Sequence, residues 1–484
     1  MKSVLGIIAV LIVFAFTSCE KWFEVTPAGE VAEDDLFRNA EGFRNSLNGI
    51  YQGMSRASLY GQELSWGFID VLAQYYDVRN CNDIGYRVVI DADDYNYSHA
   101  TVRPRLDTLW INAYHLIANC NTLLKRIEKT DSSLFRDGGG ELERRLIEGE
   151  ALAIRAFLHF DILRLFAPAP LVHSGEKRVP YCDQAPSVNF PRLTTEEVLG
   201  KVIRDLEKAK RLTASFDTLY QTQIMLVDCR LGDSKLAGVS DFLSFRGYRL
   251  NYYAICGLLA RVYLYQGDKA SAMREAEKMI YSSLFYFSEP SEAKKGNLKL
   301  YDDVIFGLYN NKLVDIYGAL NDEGRTSYSY LFLKDREELR DKDPDDVRVG
   351  ESLVVKRKDR DVCGKYFYVA PPAYRLNNKL IPVLRLSELY HIYIECVYDL
   401  VGEERAKAVF AYLRFCRGSR RELSLGSKER LYRELLWDAR KEYTAEGQLF
   451  YMYKRLNRNI TVDGKTYGMS KNFVFPLPEV ETNI

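Results

Sequence analysis

A chain of 484 residues with 47% hydrophobic content can bury a large core, and its 67 basic residues balance 67 acidic ones to give no formal charge. That balance excludes the basic footprint of a nucleic-acid binder. Its 34 tyrosines and 24 phenylalanines exclude a disordered chain and favour packed helices and binding surfaces, at a length that ordinarily makes two or three domains.

Lys2 and an apolar run from Val4 to Phe16, too short to span a bilayer, precede Phe16-Thr17-Ser18-Cys19. This is a lipoprotein signal over 1–18, with Cys19 as the lipid attachment residue and 19–35 as a linker. Acyl chains on Cys19 would hold the body at a membrane surface by burying methylenes, without a transmembrane helix. The acidic start Glu33-Asp34-Asp35 complements a helix dipole and opens a helix that runs through Gly42 to Met54.

Residues 56–105 break the helical rhythm with glycines and aromatic residues, among them Trp66, Tyr75, Tyr76, Tyr95 and Tyr97. Exposed rings beside Asn, Asp and Arg suit a sugar, whose C–H face packs on a π-surface while its hydroxyls take polar partners. The alternative is that these rings pack a core. Asp91, Asp93 and Asp94 lack the Gly and distal Glu of an EF-hand loop and read as a solvated turn.

A helix over 106–130 is followed by Gly138-Gly139-Gly140 and then by 149–166, GEALAIRAFLHFDILRLF, which is apolar on nearly every side and so must be surrounded by other helices. Its Glu150, Arg155, His159, Asp161 and Arg164 then need partners inside. A Thr followed by acidic residues caps the next helix, 195–212. Residues 251–281 and 386–415 follow the small/large alternation of tetratricopeptide repeats, and with the helix pairs at 36–130 and 141–212 they make about four stacked pairs.

Between the repeats, 284–383 reads as an insertion with strands at 304–309, 353–356, 365–369 and 380–384, and with Tyr309 and Asn310 as further ligand candidates. One charged helix spans 428–455. The chain divides into a helical part over 36–283, the insertion over 284–383 and a helical part over 384–484, within one body from 36 to 484.

No zinc-protease pair, nucleophile elbow, Rossmann fingerprint or phosphate loop is present, so no catalytic residue, cofactor or metal is assigned. A carboxylate pair for glycoside hydrolysis leaves no local signature. Cysteines 120, 256, 396 and 416 fall in helical patterns and 81, 182, 229 and 363 in loops, where an exported protein could pair some of them.

Several of these stretches carry a resemblance. The lipid Cys19 with Val25 and Pro27, then Leu36-Phe37 and Leu47-Asn48-Gly49-Ile50-Tyr51, the Trp110 to Asn121 helix, Arg155-Ala156-Phe157 with Phe160-Asp161, Asp205-Leu206-Glu207, Glu446-Gly447 and the closing Pro476-Leu477-Pro478 together resemble the SusD/RagB family of nutrient-uptake lipoproteins. The resemblance implies a mainly α, SusD-like fold of tetratricopeptide-like helix pairs with loop-rich insertions and a few short strands. It further implies an outer-membrane, lipid-anchored protein facing the cell exterior, which captures an oligosaccharide or peptide and delivers it to a SusC-like TonB-dependent transporter, acting as its lid. A repeat scaffold binding only proteins and a surface glycosidase are the alternatives.

Overall fold

A computed structural model describes residues 33–482 apart from 91–94, 137–138, 187–188, 220–222, 224, 233, 236–239, 322–329 and 371–374. The signal peptide, Cys19 and the triad Asp91, Asp93 and Asp94 lie outside the described residues, as does Asn483.

Eight helices form the body: α1 (Ala40–Met54), α2 (Arg103–Ile127), α3 (Glu141–Phe166), α4 (Thr195–Asp217), α5 (Tyr252–Gln266), α6 (Lys269–Ile280), α7 (Leu386–Leu400) and α8 (Glu403–Cys416). Each packs on the next in chain order, α7 following α6 across the insertion, so four hairpins stack as the small/large alternation predicts. The acidic opening at Glu33–Leu36 is a separate turn, and α1 begins afresh where Asn39 accepts from the Gly42 amide at 3.0 Å. A reciprocal capping box between Thr194 and Glu197 starts α4. No helix among the described residues is long and apolar enough to cross a membrane.

Helix α3 is the axis of the stack, with every side from Gly149 to Phe166 buried. A Cβ on Gly149 would meet Thr213 Cγ2 at 2.8 Å, so glycine there permits the close approach of α3 and α4. The polar groups of α3 are all partnered. Glu150 accepts from Tyr51 Oη at 2.8 Å and pairs with Arg246, which also binds Asp217 at 2.8 Å. Arg155 Nε donates to Asp205 at 2.8 Å, and Asp161 accepts from Tyr60 Oη at 2.7 Å and from Arg164. His159 Nδ1 lies 2.8 Å from the Arg155 carbonyl and Nε2 accepts from the Cys182 amide at 2.9 Å, which sets one neutral tautomer; burial pulls its pKa down to about 3.

Among the described residues ten short strands accompany the helices: β1 (Tyr76–Asp77), β2 (Val179–Pro180), β3 (Arg192–Leu193), β4 (Val304–Tyr309), β5 (Phe332–Leu333), β6 (Val354–Arg357), β7 (Arg360–Cys363), β8 (Leu380–Arg385), β9 (Ile460–Val462) and β10 (Lys465–Tyr467). They form a four-stranded antiparallel sheet in the order β1-β5-β7-β6 and three two-stranded ladders. The insertion thus takes its edge partner, β1, from the N-terminal part of the chain.

Two expectations are corrected. The predicted helix over 428–455 is two helices, α9 (Lys428–Glu442) and α10 (Gln448–Leu456). The chain turns between them at Gly447, whose φ of 75° and whose Cβ position, 2.3 Å from the Leu64 carbonyl oxygen, suit only glycine. The predicted strand over 365–369 is absent, because that segment docks into the same turn: Lys365 Nζ donates to Thr444 O at 2.9 Å and pairs with Glu446 at 2.7 Å, and Tyr366 Oη donates to Ala445 O at 2.9 Å. The strand lies at β7 instead, joined to β6 through Lys358 and Asp359, both at positive φ as a primed hairpin turn requires. The eight described cysteines are all free thiols, including the four assigned to loops.

Candidate functional site

The sheet β1-β5-β7-β6 and the β9–β10 hairpin border a cleft of about 1060 Å³. Three distant segments line it: 74–90 with β1, 333–361 with β5 to β7, and 462–467. The lining is dominated by charge of both signs, and its aromatic members, Tyr76 and Tyr467, are 1% and 7% exposed.

Most of the charges are held in place by one another. Asp77 accepts from Arg79 Nε at 2.9 Å and Nη2 at 2.7 Å and from Arg360 Nη2 at 2.7 Å, bonds that hold its carboxyl well below the usual carboxylate range. Asp335 pairs with Arg440, and its amide donates to Asp463 Oδ1 at 3.1 Å. Asp361 pairs with Lys356 at 3.1 Å and Arg340 at 3.2 Å.

Lys334 is different in kind. Its ammonium donates to Gln74 Oε1 at 2.9 Å and contacts Tyr467 Oη at 3.5 Å, 5.4 Å above that ring. Burial and the nearby Arg440 guanidinium pull it down to about 8, so this cation is held at a cost on the cleft wall. Among the described residues no group of three or more His, Cys, Asp and Glu could hold a metal ion. The arrangement can bind through directed hydrogen bonds and ion pairs on short strands, where side-chain positions are well fixed.

The seven sequence candidates do not converge. Trp66 is fully buried, its Nε1 donating to Gly61 O at 3.0 Å and its ring set edge-on to Tyr317 at 4.9 Å. Tyr75 is likewise buried, beneath the Arg440 guanidinium at 5.0 Å. These two rings belong to the core, where apolar area outweighs exposure, and offer a sugar no face. Tyr76 borders the charged cleft with little more than an edge. Tyr95 and Tyr97 line a second hollow of about 610 Å³, and their hydroxyls are spent on Leu72 O at 2.8 Å and Asn472 O at 2.6 Å.

Tyr309 is 48% exposed, edge-on to Tyr248 at 5.7 Å, but lies in neither cavity; Asn310 donates to Ser55 O at 2.6 Å and fastens the end of β4 to the end of α1. The charged residues that line the cleft, Asp77, Lys334, Asp335 and Arg360, are not among those candidates. The last three stand in a charge-dense run over 334–361 that carries no motif, and Asp77 stands outside it.

A family model described as SusD-like, "Starch-binding associating with outer membrane", matches residues 31–224. Two SusD-like proteins of Formosa agariphila are 22% identical over 257 residues and 25% identical over 199 residues. Those matches cover 53% and 40% of this chain, but only 42% and 34% of the relatives' own lengths.

Solved structures share the fold along nearly the whole chain. A SusD superfamily protein of Bacteroides thetaiotaomicron aligns with a TM-score of 0.67 at 20% identity, covering 92% of this chain and 97% of that one. A structure titled as a putative sugar binding protein, from Bacteroides vulgatus, aligns with a TM-score of 0.68 at 22% identity, covering 92% and 96%. The stacked hairpins and the short-stranded insertion thus give the chain the fold of these SusD-like structures, and over residues 31–224 its sequence is similar to the SusD-like family.

Proposed function

We propose that the protein is a surface-exposed, lipid-anchored binder that captures a nutrient, an oligosaccharide or a peptide, and delivers it to a SusC-like TonB-dependent transporter, over which it acts as a lid. The observation that carries this reading is the wide, polar cleft on a rigid sheet in a chain similar to this family. Carbohydrate is the favoured class because the matched family model and the Bacteroides vulgatus structure both name it. The wall chemistry favours a ligand with charge of its own over a neutral glucan, since the predicted stacking rings lie inside. Cys19 would supply the tether.

Calorimetric titration of the chain from Glu20 onward with uronic-acid or sulfated oligosaccharides, neutral ones and peptides tests the reading. Binding weakened tenfold or more by Arg360→Ala supports it. Arg360 is 41% exposed in its side chain, so the substitution costs the fold under about 1 kcal/mol. Binding to none of the three classes, with no transporter co-purifying from the native host, rejects the proposal.

One observation favours the protein-binding scaffold as a second reading. Tyr281, which ends α6, and Tyr412 and Phe415 on α8 are 59%, 52% and 74% exposed. A stable transporter complex in a chain that binds none of the ligands would select it.

A further inference from the structure

A small cavity of about 60 Å³ lies apart from the charged cleft, where α3, α5, α7 and α10 meet. Three side chains in its lining, Arg261, Tyr265 and Tyr451, are only 6%, 5% and 4% exposed. Arg261 spends Nε and Nη2 on Glu388, at 2.6 and 2.7 Å, yet its Nη1 has no hydrogen-bond partner, and neither hydroxyl has one. Buried polar atoms left in this way cost about 1–3 kcal/mol each, so three around one cavity call for an occupant.

The charge around the cavity indicates which occupant. Both Glu388 oxygens accept from Arg261, both Glu395 oxygens from Arg455, and both Asp161 oxygens from Tyr60 and Arg164. The Arg164 guanidinium lies 3.7 Å from the Tyr451 ring centroid, against the same wall. The carboxylates are therefore engaged by their own guanidinium partners, and the unspent groups are N–H and O–H donors. Burial keeps both tyrosines protonated at neutral pH. A water could accept from two of these groups and donate to a tyrosine oxygen, whereas a spherical anion accepts from all three and also meets the spare N–H of a guanidinium.

We propose that this cavity is a binding site for a small monovalent anion of the halide class, held by Arg261 Nη1, Tyr265 Oη and Tyr451 Oη. The bound ion joins α5 of the repeat stack to α10 of the C-terminal part. It is independent of the nutrient proposed for the cleft.

Crystals of the chain grown without halide and soaked in sodium bromide test the site by anomalous diffraction at the bromine edge. A peak within about 3.5 Å of all three atoms is expected, and it should disappear in the Tyr265→Phe/Tyr451→Phe double variant, which keeps both rings. In solution, replacing gluconate, too large for the cavity, by chloride at constant ionic strength should raise Tm by about 2 °C or more in the parent and not in the double variant. Ordered water bridging the three atoms with no bromide peak, or an equal chloride effect in both proteins, overturns the proposal.

Discussion

Lys334→Met is expected to make the protein more stable at neutral pH while weakening ligand capture. The Lys334 ammonium is drawn from its ordinary 10.5 to about 8. A difference of about 2.5 units at 1.36 kcal/mol each is a penalty of about 3 kcal/mol on the folded state, an upper figure for a partly accessible group. The sign follows from proton counts. Below pH 8 both states carry the charge and the folded state bears the full penalty. Between 8 and 10.5 the unfolded chain holds a proton that the folded one has released, so stability rises with pH; above 10.5 the penalty is gone. Methionine removes the ammonium and keeps the stem, at the loss of the Gln74 bond and the contact with the Tyr467 ring, together about 1 kcal/mol. Urea denaturation should therefore show a net gain of about 1–2 kcal/mol at pH 7 that shrinks or reverses by pH 10.5. A destabilised variant at pH 7, or a gain unaltered by pH, would refute the reasoning. A cation kept on the cleft wall against the interest of the fold is what the binding role proposed for the cleft would require.

Trp66→Ala should cost about 3–5 kcal/mol and lower Tm, an effect read by thermal melting without any ligand, because the ring is interior. Arg246→Met strands two fully buried carboxylates, Glu150 and Asp217, and should cost about 3–5 kcal/mol in urea titration; a loss under 1 kcal/mol would show that water reaches the pair. Cys19→Ala should move the protein from the membrane fraction to the soluble one on cell fractionation, with ligand affinity unchanged.

The repeat stack was legible because helix spacing and small/large alternation are local signals, and α5 to α8 fall within one or two residues of the pattern. The start of α3 at Glu141 agrees with the helix pair read over 141–212. The break at Gly447 escaped because one glycine within a helical pattern is often tolerated, and only the approach of Leu64 from elsewhere in the chain makes it a turn. The same limit applied to the ligand candidates. A ring such as Trp66 beside Gly61 and Gly67 has the composition of an exposed loop, and what buries it is Tyr317, some 250 residues away in sequence. Asp77 and Arg360 gain meaning as a pair only through the β1–β5–β7 pairing, which no local window contains.

That pairing also sets when in the life of the polypeptide the cleft can exist. Its floor joins Tyr76 to Leu333, and its rim waits for Tyr467, seventeen residues before the chain ends. A nascent chain from which Tyr467 has not yet emerged lacks that last wall. The cleft therefore closes only once Tyr467 has been made, and a product terminated before that residue would lack the wall it supplies.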